Sequence, residues 1–338
     1  MKKDTIIDNL IQFAAEQQRQ FDAATLPRRR KEQGHFGTPP AIAGFMAGMF
    51  SEIPQGTVRI LDPGAGVGTL SAAVCERMLR QKVPRRLEIE LWETDPQLVT
   101  HLRKTMDRCR QSLLEFGHRL DYTICLADFI LGSARKSLFT DGRAPSFHLA
   151  ILNPPYSKAR KESALAKAME HVVSGQPNIY ALFMAAATDH LLPGGEMVAI
   201  TPRSYFSGSY FKRFRNWFIE RMAPRNIHVF ESRSEAFNKD EVLQENVILL
   251  AEKGGIPKEI VLTTSVGRDL HNVGKQIRAY EMVIDNSSGD RIFRIAASDL
   301  EHEIVGILDG LPNRFRTLGF EVSTGPVVTF RSTKYVIV

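Results

Sequence analysis

Apolar positions along the chain follow two different periods. Over residues 5–24 they recur at helical spacing (Ile6, Ile7, Leu10, Ile11, Phe13, Ala14), which predicts an N-terminal amphipathic helix packed on the body as a brace. A second, apolar helix is expected over residues 41–50, after the punctuating segment Gly34-His35-Phe36-Gly37-Thr38-Pro39-Pro40. Thr38 before a proline suits an N-cap, with the first turn's free N–H groups open to a polar ligand. Beyond it, apolar runs of strand length begin at residues 58–61, 87–92, 122–126, 147–152, 197–201, 227–230 and 246–250. Seven such runs interleaved with helical patterns predict an α/β fold built on a doubly wound, mostly parallel sheet. The last two lie close enough in sequence to pair antiparallel at one edge.

The pattern changes after Lys253-Gly254-Gly255. One more strand is expected over residues 260–264 and a helix over 298–308, which Pro312 ends. The chain stops at Tyr335-Val336-Ile337-Val338, in β-like sequence. The expected organisation is an N-terminal helical extension (1–33), a catalytic domain (34–255) and a truncated second domain (256–338).

Composition narrows the class. With 338 residues and 43% hydrophobic content the chain can bury a core. No apolar run approaches the roughly 20 residues of a membrane span, and Met1-Lys2-Lys3-Asp4 lacks the apolar core of a signal peptide. A cytoplasmic protein with no membrane partner is expected. Cys75, Cys109 and Cys125 have neither metal-ligand spacing nor a disulfide pattern, so no metal is expected. The net charge of +6 permits a polyanionic partner. One basic run, Arg28-Arg29-Arg30-Lys31, lies near the N-terminus. A second, over residues 203–217, interleaves Arg203, Lys212, Arg213 and Arg215 with aromatics, which suits phosphate contacts and base stacking as well as a solvated charged face.

The chemistry concentrates at the carboxyl ends of the predicted strands, where open α/β sheets bind ligands. The first strand runs into Asp62-Pro63-Gly64-Ala65-Gly66-Val67-Gly68 and then a helix over residues 69–81. Its glycines fall as G-x-G-x-G, which departs from the dinucleotide spacing, and Asp62 suits an ammonium group better than a pyrophosphate. S-adenosylmethionine meets both demands. Glu93, at the end of the second strand, can take two ribose hydroxyls, and Asp95 reads as the cap of the following helix. Asp128 and Phe129, after the third, can accept from an adenine amino group and flank its ring. The fourth strand feeds Asn153-Pro154-Pro155-Tyr156, a rigid loop whose prolines withdraw donors and leave carbonyl and amide oxygens as acceptors beside an aromatic ring.

Taken together, Gly34-x-x-x-Thr38-Pro39-Pro40, Asp62-Pro63-Gly64-x-Gly66 and Asn153-Pro154-Pro155-Tyr156 resemble, in this order, the N6-adenine DNA methyltransferases of restriction-modification systems. The resemblance covers residues 34–250. The stretch 322–331 is similar to the opening of that family's target-recognition domain, most of which is missing here. The resemblance implies a Rossmann-like catalytic domain that transfers a methyl group from S-adenosylmethionine to a flipped adenine in double-stranded DNA. A companion restriction endonuclease or a separate specificity element is an implied partner. Phe36, Thr38, Asp62, Gly64, Gly66, Glu93, Asp128 and Phe129 would bind the cofactor, and Asn153 with the Pro154 carbonyl would accept from the target amino group. Tyr156 and Phe237 would stack on the target base. Because Asn-Pro-Pro-Tyr also occurs in glutamine and RNA methyltransferases, those substrates stay open, as does a truncated module that binds cofactor without turnover.

Overall fold

The computed structural model describes residues 9–25, 37–51, 56–81, 85–133, 146–160, 162–173, 177–230, 246–266, 270, 272–286, 289–296, 299–312 and 318–319. Phe36, Phe237, the basic run 28–31 and the stretch 322–331 lie outside them. All seven expected strands form: β1 (Thr57–Pro63), β2 (Arg86–Glu93), β3 (Arg119–Leu126), β4 (Phe147–Leu152), β5 (Leu191–Pro202), β6 (Met222–Phe230) and β7 (Asn246–Lys253). Two more, β8 (Glu259–Ser265) and β9 (Gly274–Ala279), extend the same sheet to nine strands, in the order β3-β2-β1-β4-β5-β7-β6-β8-β9. Strands β1 to β5 are mutually parallel, and β7 runs antiparallel between β5 and β6.

The antiparallel β6–β7 pair agrees with expectation, but it is not an edge. β8 pairs parallel with β6, and β9 pairs antiparallel with β8. An unpaired β6 would expose a row of backbone donors and acceptors, and β8 satisfies them. The compact unit accordingly runs to Arg294. A short helix (Tyr280–Val283) and the two-stranded β10–β11 ribbon (Ile284–Asp285 with Ile292–Phe293) complete it. The second unit, from Ile295, contains the helix Asp299–Gly310.

Helices α1 (Leu10–Ala24), α2 (Pro40–Met49), α3 (Thr69–Leu79) and α4 (Pro96–Glu115) cover one face of the sheet. Their apolar stripes meet alternate strand residues in one continuous core, including Leu10, Ile42, Met46, Val74, Met106, Ile60, Ile89, Ile151 and Val198. The caps are local: Asn9 Oδ1 accepts from the Gln12 N–H at 3.0 Å, and Asp95, as expected, caps α4 by accepting from the Gln97 N–H at 2.8 Å. Thr38 does not cap α2. Pro39 occupies the N-cap and Pro40 the first turn, with no side-chain cap bond, so the threonine hydroxyl is displaced by one residue and turns elsewhere. On the other face α6 (Ile179–His190) packs on β5 and β1, and α7 (Lys212–Arg221) packs on β6; α5 (Ala164–Ala168) is a single short turn.

Candidate active site

A cleft of about 170 Å3 opens at the carboxyl ends of the parallel strands. Gly64, Gly66, Glu93, Asp128, Phe129, Asn153 and Pro155 all line it, so the strand-end residues singled out in the sequence converge in space. The turn after β1 folds over the end of β2, its Gly64 and Ala65 N–H groups donating to the Trp92 carbonyl at 2.9 and 2.8 Å. Gly66 has φ 57° and its Cβ position faces open space, which leaves the backbone bare toward the cleft. Gly68 has φ 86°, and a Cβ there would lie 2.7 Å from Leu102 Cδ1, so α3 and α4 pack closely only around a glycine.

Three carboxylates surround that turn. Glu93 is buried and accepts from the N–H groups of Gly66 (2.9 Å), Thr94 (2.7 Å) and Asp95 (2.9 Å), so it joins the turn to the end of β2. Asp128 caps the helical turn after β3 through Oδ1, which accepts from the Leu131 N–H at 2.9 Å. Asp62 is buried and does not line the cleft directly. Its Oδ2 accepts from the Ser71 hydroxyl at 2.6 Å, while Oδ1 is buried with no hydrogen-bond partner among the described residues. Burial, with a smaller contribution from the Glu93 charge, pushes its pKa up to about 7 against the opposing Ser71 hydrogen bonds.

The loop after β4 is pinned by backbone bonds to the start of α6. The Ile179 N–H donates to the Ser157 carbonyl at 2.9 Å, and the Ala159 N–H to the Pro177 carbonyl at 2.8 Å. The Asn153 side chain donates through Nδ2 to Thr38 Oγ1 at 3.1 Å, and its Oδ1 accepts from the Tyr156 hydroxyl at 3.1 Å. Tyr156 turns that hydroxyl inward, 3.5 Å from the Ile200 carbonyl, and desolvation raises its pKa. Its ring meets Tyr180 edge-on with centroids 6.5 Å apart.

Residues 94–237 match the Eco57I restriction-modification methylase family. The type II methyltransferase M.PstI of Providencia stuartii is 33% identical over 305 residues, covering 90% of this chain and 59% of its own length. M.BsuBI of Bacillus subtilis is 32% identical over 314 residues, covering 90% and 60%. The chain thus spans about three fifths of both relatives. Among solved structures, a Listeria monocytogenes chain described as a class I S-adenosylmethionine-dependent methyltransferase superposes with a TM-score of 0.50. At 17% identity over 70% of this chain and 68% of the other, that likeness is one of fold.

The structure departs from expectation at the basic stretch 203–217. Tyr205, Phe206, Phe211, Phe214, Trp217 and Phe218 are buried, and Phe206 stacks on Phe293 at 4.3 Å. Tyr180 hydrogen-bonds Ser204 at 2.9 Å and stacks on Phe211 at 5.8 Å, so these aromatics support the loop of Tyr156 from behind. Arg215 is a correction. It is buried, and its guanidinium donates to the carbonyls of Asp290 (2.6 Å), Tyr205 (3.0 Å) and Gly208 (2.9 Å), which removes it from any phosphate. Lys212 is exposed but ion-paired with Asp290; Arg213 is exposed, and Arg203 is half-buried. Sequence reading missed Gln18, Trp92, Leu98 and Phe183, which also line the cleft. Gln18 comes from α1, so the N-terminal helix walls the cleft as well as bracing the core. A larger hollow of about 430 Å3 lies over β1 to β3 and is lined by paired surface charges such as Arg59 and Glu88, 3.3 Å apart. It has no glycine turn and no rigid acceptor loop.

Proposed function

We propose that this chain is the catalytic part of a DNA methyltransferase that modifies the N6 amino group of adenine, using S-adenosylmethionine. The observation that carries the reading is Asn153: it lines the cleft of the glycine turn and also belongs to the Asn-Pro-Pro-Tyr loop. The residues around the cleft fit the cofactor. Glu93 suits the ribose and Asp128 the adenine amino group, with Trp92, Phe129 and Phe183 as apolar walls; Asp62 does not line the cleft, but its Oδ1, without a partner among the described residues, suits the ammonium end. When bound, S-adenosylmethionine supplies an activated methyl group.

The protein's part of the reaction is positioning and charge stabilisation. An adenine amino nitrogen is a poor nucleophile because its lone pair is delocalised into the ring. Asn153 Oδ1 and the Pro154 carbonyl accept its two hydrogens, draw the nitrogen toward tetrahedral geometry and stabilise the positive charge that grows on it. No strong base is needed at the attacking step. The target base must leave the duplex, and Tyr156, with Phe237 as partner, grips its faces. The exposed Arg213, with Arg203 and Lys212, belongs to the backbone-contacting surface, and a companion endonuclease or specificity element completes the system.

Incubation with methyl-labelled cofactor and duplex DNA of mixed sequence tests the reading. Label should enter duplex DNA and not RNA or a glutamine-containing protein. Label confined to RNA or protein contradicts it.

A further inference from the structure

Gln18 lines the cleft although it stands on α1 and belongs to no strand end. Its helix is held by the two helices that start beside the cleft, α3 and α4. The Ile11 N–H donates to Glu76 Oε2 of α3 at 3.1 Å, and the buried Gln17 shares a hydrogen bond with His101 Nδ1 of α4 at 3.0 Å. Phe21 meets the His101 ring edge-on and clusters with Val67 of the glycine turn and Leu98 of α4. One helical turn before Phe21, on the same face, stands Gln18. Its amide lies against Gly37, where a Cβ would come within 2.9 Å of both Cδ and Oε1. Its Nε2 donates to Asp22 Oδ1, one turn further along the helix, at 3.0 Å.

We propose that Gln18 is a cofactor-binding residue, its Oε1 accepting a hydrogen bond from a hydroxyl or ammonium donor of S-adenosylmethionine. This deepens the preceding functional reading and rests on its choice of cofactor. An ionised carboxylate only accepts hydrogen bonds, so Asp22 can engage Gln18 only through the NH2 end of the amide. That pairing fixes which end is oxygen, and the oxygen is an acceptor held at the cleft wall beside Gly37. The cofactor carries matching donors in its two ribose hydroxyls and its ammonium group. Gly66 and Glu93, which border the ribose and amino-acid parts in this reading, line the same cleft as Gln18. Because α1 is fastened to α3 and α4, the fold sets this acceptor in place before the ligand arrives, which limits the entropy lost on binding.

Gln18→Met keeps the length of the side chain and removes both polar ends of its amide. Calorimetric titration of the intact chain with S-adenosylhomocysteine, which keeps the ribose and the amino-acid end, should show binding about fivefold weaker in Gln18→Met, the size of one neutral hydrogen bond. Gln20→Met, at an exposed position of the same helix, should bind as the wild type does. 5′-Methylthioadenosine, which lacks the amino-acid end, separates the two donors. The same loss with it assigns the contact to a ribose hydroxyl, and a loss seen with S-adenosylhomocysteine alone assigns it to the ammonium group. Hydrogen exchange separates binding from packing: amides of residues 10–24 in the ligand-free chain should exchange equally in the wild type and Gln18→Met. Faster exchange in the variant would make Gln18 a strut of the helix and overturn the inference. Equal affinity of the two for S-adenosylhomocysteine would overturn it too and leave the cofactor reading standing, whereas a wild-type chain that binds neither compound removes both.

Discussion

Asp62 combines burial with an unsatisfied oxygen. Its folded-state pKa near 7 lies above the ordinary carboxylate value of 3.8, so the folded chain holds this proton more tightly than the unfolded chain does. The resulting stability is present below about pH 4 and is lost as pH rises toward 7, amounting to at most about 4 kcal/mol. Thermal denaturation of Asp62→Asn without cofactor should lack this pH-dependent loss. A nearby ammonium group would favour the ionised carboxylate, so cofactor affinity should rise between pH 5.5 and 7.5 with release of a proton. Calorimetry in buffers of different ionisation heat measures that release; a buffer-independent heat and a flat affinity would remove Asp62 from ammonium binding. Asn153 calls for the opposite signature. Asn153→Ala should bind cofactor normally and lose about 10² or more in kcat, the effect of removing one oxyanion-hole-type partner. A matching loss of cofactor affinity would contradict its role as an acceptor for the target.

Between these residues and the whole fold, helix α7 has a role that differs from its sequence appearance. Residues 203–217 look like a nucleic-acid surface because basic and aromatic side chains alternate there. The fold sorts them: the aromatics other than Tyr210 turn inward behind Tyr156 and Tyr180, and Arg213 turns out. Arg215 belongs to the inward set, where its donors satisfy three carbonyls of the surrounding turns. Arg215→Met keeps bulk and strands those carbonyls, so it should lower stability by about 2 kcal/mol or more in denaturant unfolding. Arg213→Ala should leave stability nearly unchanged and reduce the slope of log affinity for duplex DNA against log salt by about one. If Arg215→Met changed that slope while stability held, the buried strut would be the wrong description.

Across the molecule, legibility followed burial. The run 147–152 reads as a strand to the residue, because a parallel strand covered on both faces is continuously apolar. The carboxylates ending β1 to β3 were legible for a related reason: strand ends of an open sheet are where ligands sit. Strand 260–264 was visible as a strand, but nothing local says which sheet it joins, and the edge strand β9, with Lys275, Gln276 and Arg278, has too little apolar contrast to announce itself. Gln18 escaped because the residues with which it lines the cleft lie far along the chain. A threonine beside proline looks like a cap until Pro39 takes that position.

The central claim is that the loop of Asn153, opening on the glycine-turn cleft, methylates an adenine amino group in DNA. Nucleoside mass spectrometry after incubating the chain with S-adenosylmethionine and duplex DNA addresses it directly. The account predicts N6-methyldeoxyadenosine, which disappears with Asn153→Ala. Methylated deoxycytidine as the product, or N6-methyldeoxyadenosine that persists at full yield in Asn153→Ala, would contradict it.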